Sequence, residues 1–299
     1  MGIEVQTMTC QPSQTVYFTF AEPPQDWVVG LTLFTLTYGP GNSHSVETLS
    51  INLEVNLAAN QLGVTVRAQL SDHSSNTIDV GASSVTVGCV AVTGSSDPYT
   101  ALANVPNVTQ QDRGVFQLPG NGGACTVLTT CLSGFNLSYD TTDHEFQGAT
   151  AVPGIDPQSS GPAFVTATAD MWNGETPSNH AVTAAIDAGV LASVDDPPPF
   201  MVQMVTAYNY TTVPPIAFPS AVGPVITLIQ SFNVQYASDE YTVQNIVVGC
   251  GKSQSVSGST VTLGPCWAYT DDNEGNSEDN ALSSVNVLVI AVPAQSARS

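Results

Sequence analysis

Apolar and polar positions alternate with a period of two along most of the chain, and one alternating pentad occurs three times. Phe34-Thr-Leu-Thr-Tyr38 returns as Phe135-Asn-Leu-Ser-Tyr139 and as Phe232-Asn-Val-Gln-Tyr236, at spacings of 101 and 97 residues. Each copy reads aromatic, polar, aliphatic, polar, aromatic, which gives a strand one oily and one wet face. A second shared strand follows about thirty residues later in each copy: Val64–Asp72, Phe164–Asp170 and Val261–Asp271. A turn rich in Asp, Asn and Ser comes next. Each unit closes on an apolar run, Ser83–Val92 and Ser283–Val292 being near copies of one another. The middle unit closes on Ala185–Val194; its alanines would suit a helix, but the repeat assigns it to a strand. A period near one hundred residues is too long for a solenoid and suits small domains.

Taken in order, the first unit supplies about six strands. Thr15–Phe20 alternates, Pro23-Pro24 breaks it, and Trp27–Tyr38 is a long strand with Gly30 where a bulge can sit. Val46–Val55 and the two closing strands complete the set. Asp-Pro lies shortly beyond the closing run of the first two units, at Asp97-Pro98 and Asp196-Pro197, and proline makes such connectors short and stiff. The expected architecture is all-β, three tandem antiparallel β-sandwich domains of about six strands each, over residues 1–97, 98–197 and 198–299.

Composition narrows the function classes. Asp and Glu total 25 against four Lys and Arg, for a net charge of -21, yet charged residues are only 10% of the chain, against roughly 25% in ordinary soluble domains. Bases are scarce, and Ser, Thr, Asn and Gln carry the polarity, as on extracellular or structural surfaces. Nucleic acid is excluded as a partner, because its binding leans on Lys and Arg. No apolar run is long enough for a membrane-spanning helix, so no membrane insertion is expected. Residues 1–6 have neither the basic start nor the apolar core of a secretory signal.

Six cysteines are present. Cys125 and Cys131 enclose a five-residue loop, Cys250 and Cys266 face each other across an expected hairpin, and Cys10 and Cys89 can join the first and last strands of the first unit. Fifteen pairings are open in principle, and buried free thiols are the alternative. Disulfides favour an extracellular, cell-surface or virion-surface location.

No nucleophile elbow is present, and His44, His73, His144 and His180 fall in turns without a partner pattern, so no enzyme is expected. Zinc spacing and a phosphate loop are both missing. Asp271, Asn273, Glu278 and Asp279 offer the oxygens calcium prefers, although Gly275 arrives too early for an EF-hand loop. Calcium is thus the candidate cation, and no cofactor is expected. Polar residues recur at the end of the second shared strand, at Asp72-His73, Asp170 with Trp172, and Asp271-Asp272. A parallel set follows the pentad, at His44, Asp143-His144 and Asp239-Glu240. Carboxylates accept from sugar hydroxyls while aromatic or imidazole faces cover the sugar's C–H surface. Strand-ending turn residues are the bland reading of both sets.

Val16–Phe20, Pro23-Pro24, Trp27–Leu31, Gly63–Val66, Leu70-Ser-Asp-His73 and Val85–Val92 together resemble the H-type lectin domain. The resemblance covers most of the first unit and, through the repeat, parts of the others. It implies a six-stranded antiparallel sandwich that trimerises and binds N-acetylgalactosamine-type sugars, with three domains of one chain taking the place of the trimer. The sugar-contacting arginine of that family has no counterpart in Leu49-Ser-Ile-Asn-Leu53. The expected partners are therefore a glycan or copies of the chain itself as a homo-oligomer. A self-assembling subunit of a virion, extracellular filament or surface layer is the alternative.

Overall fold

The computed structural model describes residues 2–294 except 96, 121, 123, 158–161, 176, 177, 238, 252 and 253. The fold is all-β, with 62% strand and no helix among the described residues. The first segment carries β1 (Gly2–Cys10), β2 (Thr15–Thr19), β3 (Pro24–Thr37), β4 (Thr48–Ala58), β5 (Gln61–Ser71) and β6 (Ser84–Thr93). The second carries β7 (Thr100–Val108), β8 (Gly114–Phe116), β9 (Val127–Ser138), β10 (Gly148–Asp156), β11 (Ala163–Trp172) and β12 (Thr183–Ser193). The third carries β13 (Met201–Ala207), β14 (Ile216–Ala217), β15 (Val222–Gln235), β16 (Asn245–Cys250), β17 (Ser255–Ser257), β18 (Thr260–Thr262), β19 (Cys266–Asp271) and β20 (Ser284–Pro293). The alanine-rich run after His180 is a strand, as the repeat requires.

Hydrogen bonding does not stop at the segment boundaries. The three large sheets run β1-β6-β3-β16-β19, β2-β5-β4-β9-β12-β7 and β13-β20-β15-β10-β11-β8, and β14-β18-β17 form a small fourth. Each large sheet therefore takes the first, last and third strands of one segment and adds strands of another, β16 and β19 in the first sheet, β4, β5 and β2 in the second, and β10, β11 and β8 in the third. The seams are β3 with β16, β9 with β4, and β15 with β10. First borrows from third, second from first, third from second, so the exchange closes on itself. The connectors at 97/98 and 197/198 do separate the strand sets, but one core cluster draws on all three segments.

The pentads explain why the ring closes. Phe34, Phe135 and Phe232 are buried and meet one another, with ring centroids 5.7, 5.8 and 5.3 Å apart. Tilted and edge-on contacts at this range add about 0.5–1.5 kcal/mol per pair beyond area burial. Two residues upstream of each phenylalanine, the third strand of the segment carries a one-residue bulge, at Thr32, Ser133 and Gln230 rather than at Gly30. The bulge turns a polar side chain toward the segment that lends its strands to the sheet. Thr32 Oγ1 donates to Thr227 O at 2.8 Å, Ser133 Oγ to Val29 O at 2.5 Å, and Gln230 Nε2 to Pro153 O at 2.9 Å. A second cluster, including Val90, Leu191, Leu228 and Leu288, packs the opposite faces of the closing strands together.

One disulfide forms, Cys250–Cys266, between residues directly opposite in the β16–β19 ladder. The other two expected pairs do not. Cys10 faces Val85 and Cys89 faces Gln6, four places apart along the β1–β6 ladder. At the rise of a strand that is about 13 Å, beyond the reach of a disulfide. Cys131 lies inside β9, and Thr126 already continues the ladder through its bond to Ser193, so the chain is extended between Cys125 and Cys131. Cys10, Cys89 and Cys131 are buried free thiols; burial pushes the Cys131 thiol up to about 12. Among the described residues no helix is long and apolar enough to cross a membrane.

Candidate functional site

The sequence-selected polar residues gather at the end of the molecule where the pentads finish. Six backbone hydrogen bonds close it in a ring: His44 with Val243, Val46 with His144, and Phe146 with Tyr241, each pair bonded both ways at 2.8–3.2 Å. Each pentad tyrosine meets the ring residue of its own segment edge-on, as Tyr38–His44 at 4.8 Å, Tyr139–His144 at 4.7 Å and Tyr236–Tyr241 at 4.9 Å. Tyr38 and Tyr236 donate their hydroxyls to Ser45 O and Thr242 O. Burial, reinforced by carboxylates such as Asp72 and Asp143 around Tyr38, holds these phenols well above their usual range. His144 and His44 are thus parts of a structural cap.

Strand register revises one equivalence. Ser71, Trp172 and Asp271 end their strands opposite Thr48, Gly148 and Asn245. The places after them belong to Asp72, Asn173 and Asp272, so Asp170 lies three positions earlier than Asp72 and Asp272. Those two are buried turn formers. Each accepts from the backbone N–H of the Asn four residues on, at 2.8 Å, and from its carboxamide. Burial opposes the charge of Asp272, but the Asn276 and backbone bonds outweigh it and hold the carboxyl below the usual range. His73 is exposed, 3.9 Å from Glu47. Asp143 is half-buried and Asp239 exposed on the loops after the pentads.

The calcium candidates are dispersed among other tasks. Asp271 accepts from Asn245 Nδ2 and Tyr269 OH, both at 2.8 Å. Asn273 donates to Gly41 O, Glu278 accepts from Asn209, and Asp279 holds a turn through Ala281 N. Among the described residues no group of three or more His, Cys, Asp or Glu is placed to hold a metal ion.

The middle segment departs from its neighbours, and there a trough opens. The turn after Asn173 spans six residues to Asn179, where Asp72 and Asp272 span four to Asn76 and Asn276. The distance to the closing strand is the same, so the lost residues come from the turn that Asp79 and Asp279 build in the other copies. β12 accordingly starts early, and Thr183–Ala185 pair with β9 alone, because β7 ends at Val108 opposite Ile186. Against this open flank lies a depression of about 500 Å³ lined by Thr109, Gln110, Gln111, Asp170, His180 and Thr183, among others. Asp170 Oδ2 lies 2.6 Å from His180 Nδ1, and its Oδ1 accepts from Met171 N and Ala181 N. The imidazole itself is exposed. Past Ala185 a second depression of about 250 Å³ continues, across the β4–β9 seam, with Ser50, Asn52, Gln69, Asn107, Asn136 and Asp187 on its walls.

Asp170 is thus brought to a site, and its partner is His180 rather than Trp172, whose indole covers Gly148. The glutamines and the seam amides carried no pattern in the sequence, since a seam joins residues that no period relates. The fold and trough define an all-β protein with a polar cleft. Compared with protein-family models, curated proteins and solved structures, the chain matches none.

Proposed function

We propose that the chain is a non-enzymatic, extracellular glycan-binding protein, its three fused sandwich repeats standing where the H-type lectin resemblance implies a trimer. The trough of the middle segment carries the reading. A carboxylate locked by an imidazole and two N–H groups, beside Thr109, Gln110 and Gln111, offers donors and acceptors at fixed positions to a polyhydroxyl ligand. The disulfide supports an oxidising location. A glycan array followed by calorimetry tests it. One bound oligosaccharide per chain is expected, with affinity at least tenfold lower in Asp170→Asn and in His180→Ala. Failure to bind any glycan, or undiminished binding by both variants, removes the proposal.

The alternative, a self-assembling structural subunit, has one observation in its favour. β1 and β13 are the outer strands of their sheets and offer nine and seven residues of edge. Sedimentation as a polymer regardless of added sugar would favour it.

A further inference from the structure

A different groove, independent of the glycan reading, lies against the first half of β3. It measures about 370 Å³ and is lined by Asp26, Trp27, Val55, Leu102, Ala103 and Asn104, among others. On one side β3 pairs with β6 along its length, whereas on the other β16 covers only Leu33–Thr37. Asn104 takes up part of the remainder: its Oδ1 accepts from Val29 N at 3.0 Å and its Nδ2 donates to Val29 O at 2.7 Å. A side-chain amide therefore does for Val29 what a paired strand residue does elsewhere in a sheet. Val29 turns its backbone groups away from β6, and by the period of two Trp27 turns its N–H and C=O the same way, where among the described residues no strand is paired with it. On the opposite wall β4 leaves β9 after Ile51, so Asn52–Ala58 have a strand on one side only, and Val55 is 36% exposed. Two unpaired backbone edges thus flank a slot with an indole in it, and such edges are templates for strand addition.

Charge selects the kind of strand. Asp26 lies in the groove wall with Asp97 nearby; burial first, and then the Asp97 charge, hold its carboxyl above the usual range. Both arginines among the described residues are engaged elsewhere, Arg67 with Glu54 at 3.3 Å and Arg113 with Asp156 at 3.4 Å. The chain as a whole carries a net charge of -21. We propose that the groove docks an extended, basic segment of a partner protein, which pairs with Trp27 as an added strand, sets a Lys or Arg side chain on Asp26, and packs its apolar neighbours on Trp27 and Val55.

The probe is a fluorescent octapeptide alternating Arg and Val, titrated into the full chain and followed by anisotropy. Two controls accompany it: the same peptide with Glu for Arg, and the Arg peptide N-methylated at alternate residues, which keeps the charge but cannot pair as a strand. The Arg peptide should bind at least tenfold more tightly than either control. Asp26→Asn and Val55→Glu should change the affinity at least fivefold, the first weakening it and the second, by obstructing the apolar wall, also weakening it. Val55 is exposed, so its variant tests docking without endangering the fold. Equal binding of the N-methylated peptide would reduce the effect to attraction by net charge and overturn the proposal, as would wild-type affinity in both variants or absence of binding. Displacement of the peptide by a neutral oligosaccharide would overturn it too, by assigning the groove to sugar.

Discussion

Glu278 is 6% exposed; one carboxylate oxygen accepts from Asn209, and the other is buried with no partner. Burial is the main cause that raises its pKa above the usual glutamate range; the Asn209 bond works against it, and Asp271 and Asp279 add to it. A raised folded-state pKa means the native protein holds this proton more tightly than the unfolded chain. The resulting stability is full below the unfolded pKa and is lost as pH rises through the folded one. Glu278→Gln should therefore stabilise the protein at pH 7 by about 1 kcal/mol, the scale of an unsatisfied buried polar group, and give no gain near pH 3. Urea melts at the two pH values decide it, and an equal effect at both would sink the explanation. Asp272 has the opposite sign, its depressed pKa lending stability that disappears as pH falls through the folded value. The turn role of Asp72 and Asp272 was legible as a repeated Asp-x3-Asn, and the middle copy's Asn173 and Asn179 are spaced two residues wider. The Asp170–His180 contact was hidden because it depends on that wider turn.

Among the elements, the seam strands are the most tightly constrained. Gly249 in β16 has φ +122, and a Cβ there would collide with Thr32 O at the β3 bulge. Backbone cannot yield as a side-chain tip can, and an L-residue is also strained at this φ. Gly249→Ala should cost at least about 3 kcal/mol, within the range of severe core defects, or prevent folding. Thermal unfolding compared with Gly258→Ala checks this, because Gly258 also has positive φ but its Cβ meets nothing within 4 Å. Comparable losses in the two variants would show that φ, not the close approach of β3, is the constraint. Strand existence was legible from alternation, and the hairpin cysteines from their placement. Lateral neighbours were not, because a period of two says which face a residue takes and nothing about which strand lies beside it. The same blindness misplaced Cys10 and Cys89, which share a pair of strands at the wrong register.

For the molecule as a whole, each segment gives strands to one neighbour and receives them from the other, around three phenylalanines that belong to no single segment. Unfolding of the full chain should be one cooperative transition, and residues 98–197 expressed alone should lack protected amides, since β9 and β10 both lose their seam partners. Hydrogen exchange and calorimetry test this together; three resolved transitions, or a folded isolated segment, would count against a shared core. The wider turn after Asn173 carries one last consequence. In a homotrimer every subunit answers to the same gene, so a change that opens a cleft opens three and weakens the ring three times. With three units in one chain, the turn after Asn173 can widen while those after Asp72 and Asp272 keep their four-residue span, so a cleft opens at one place and the ring is spared at the other two.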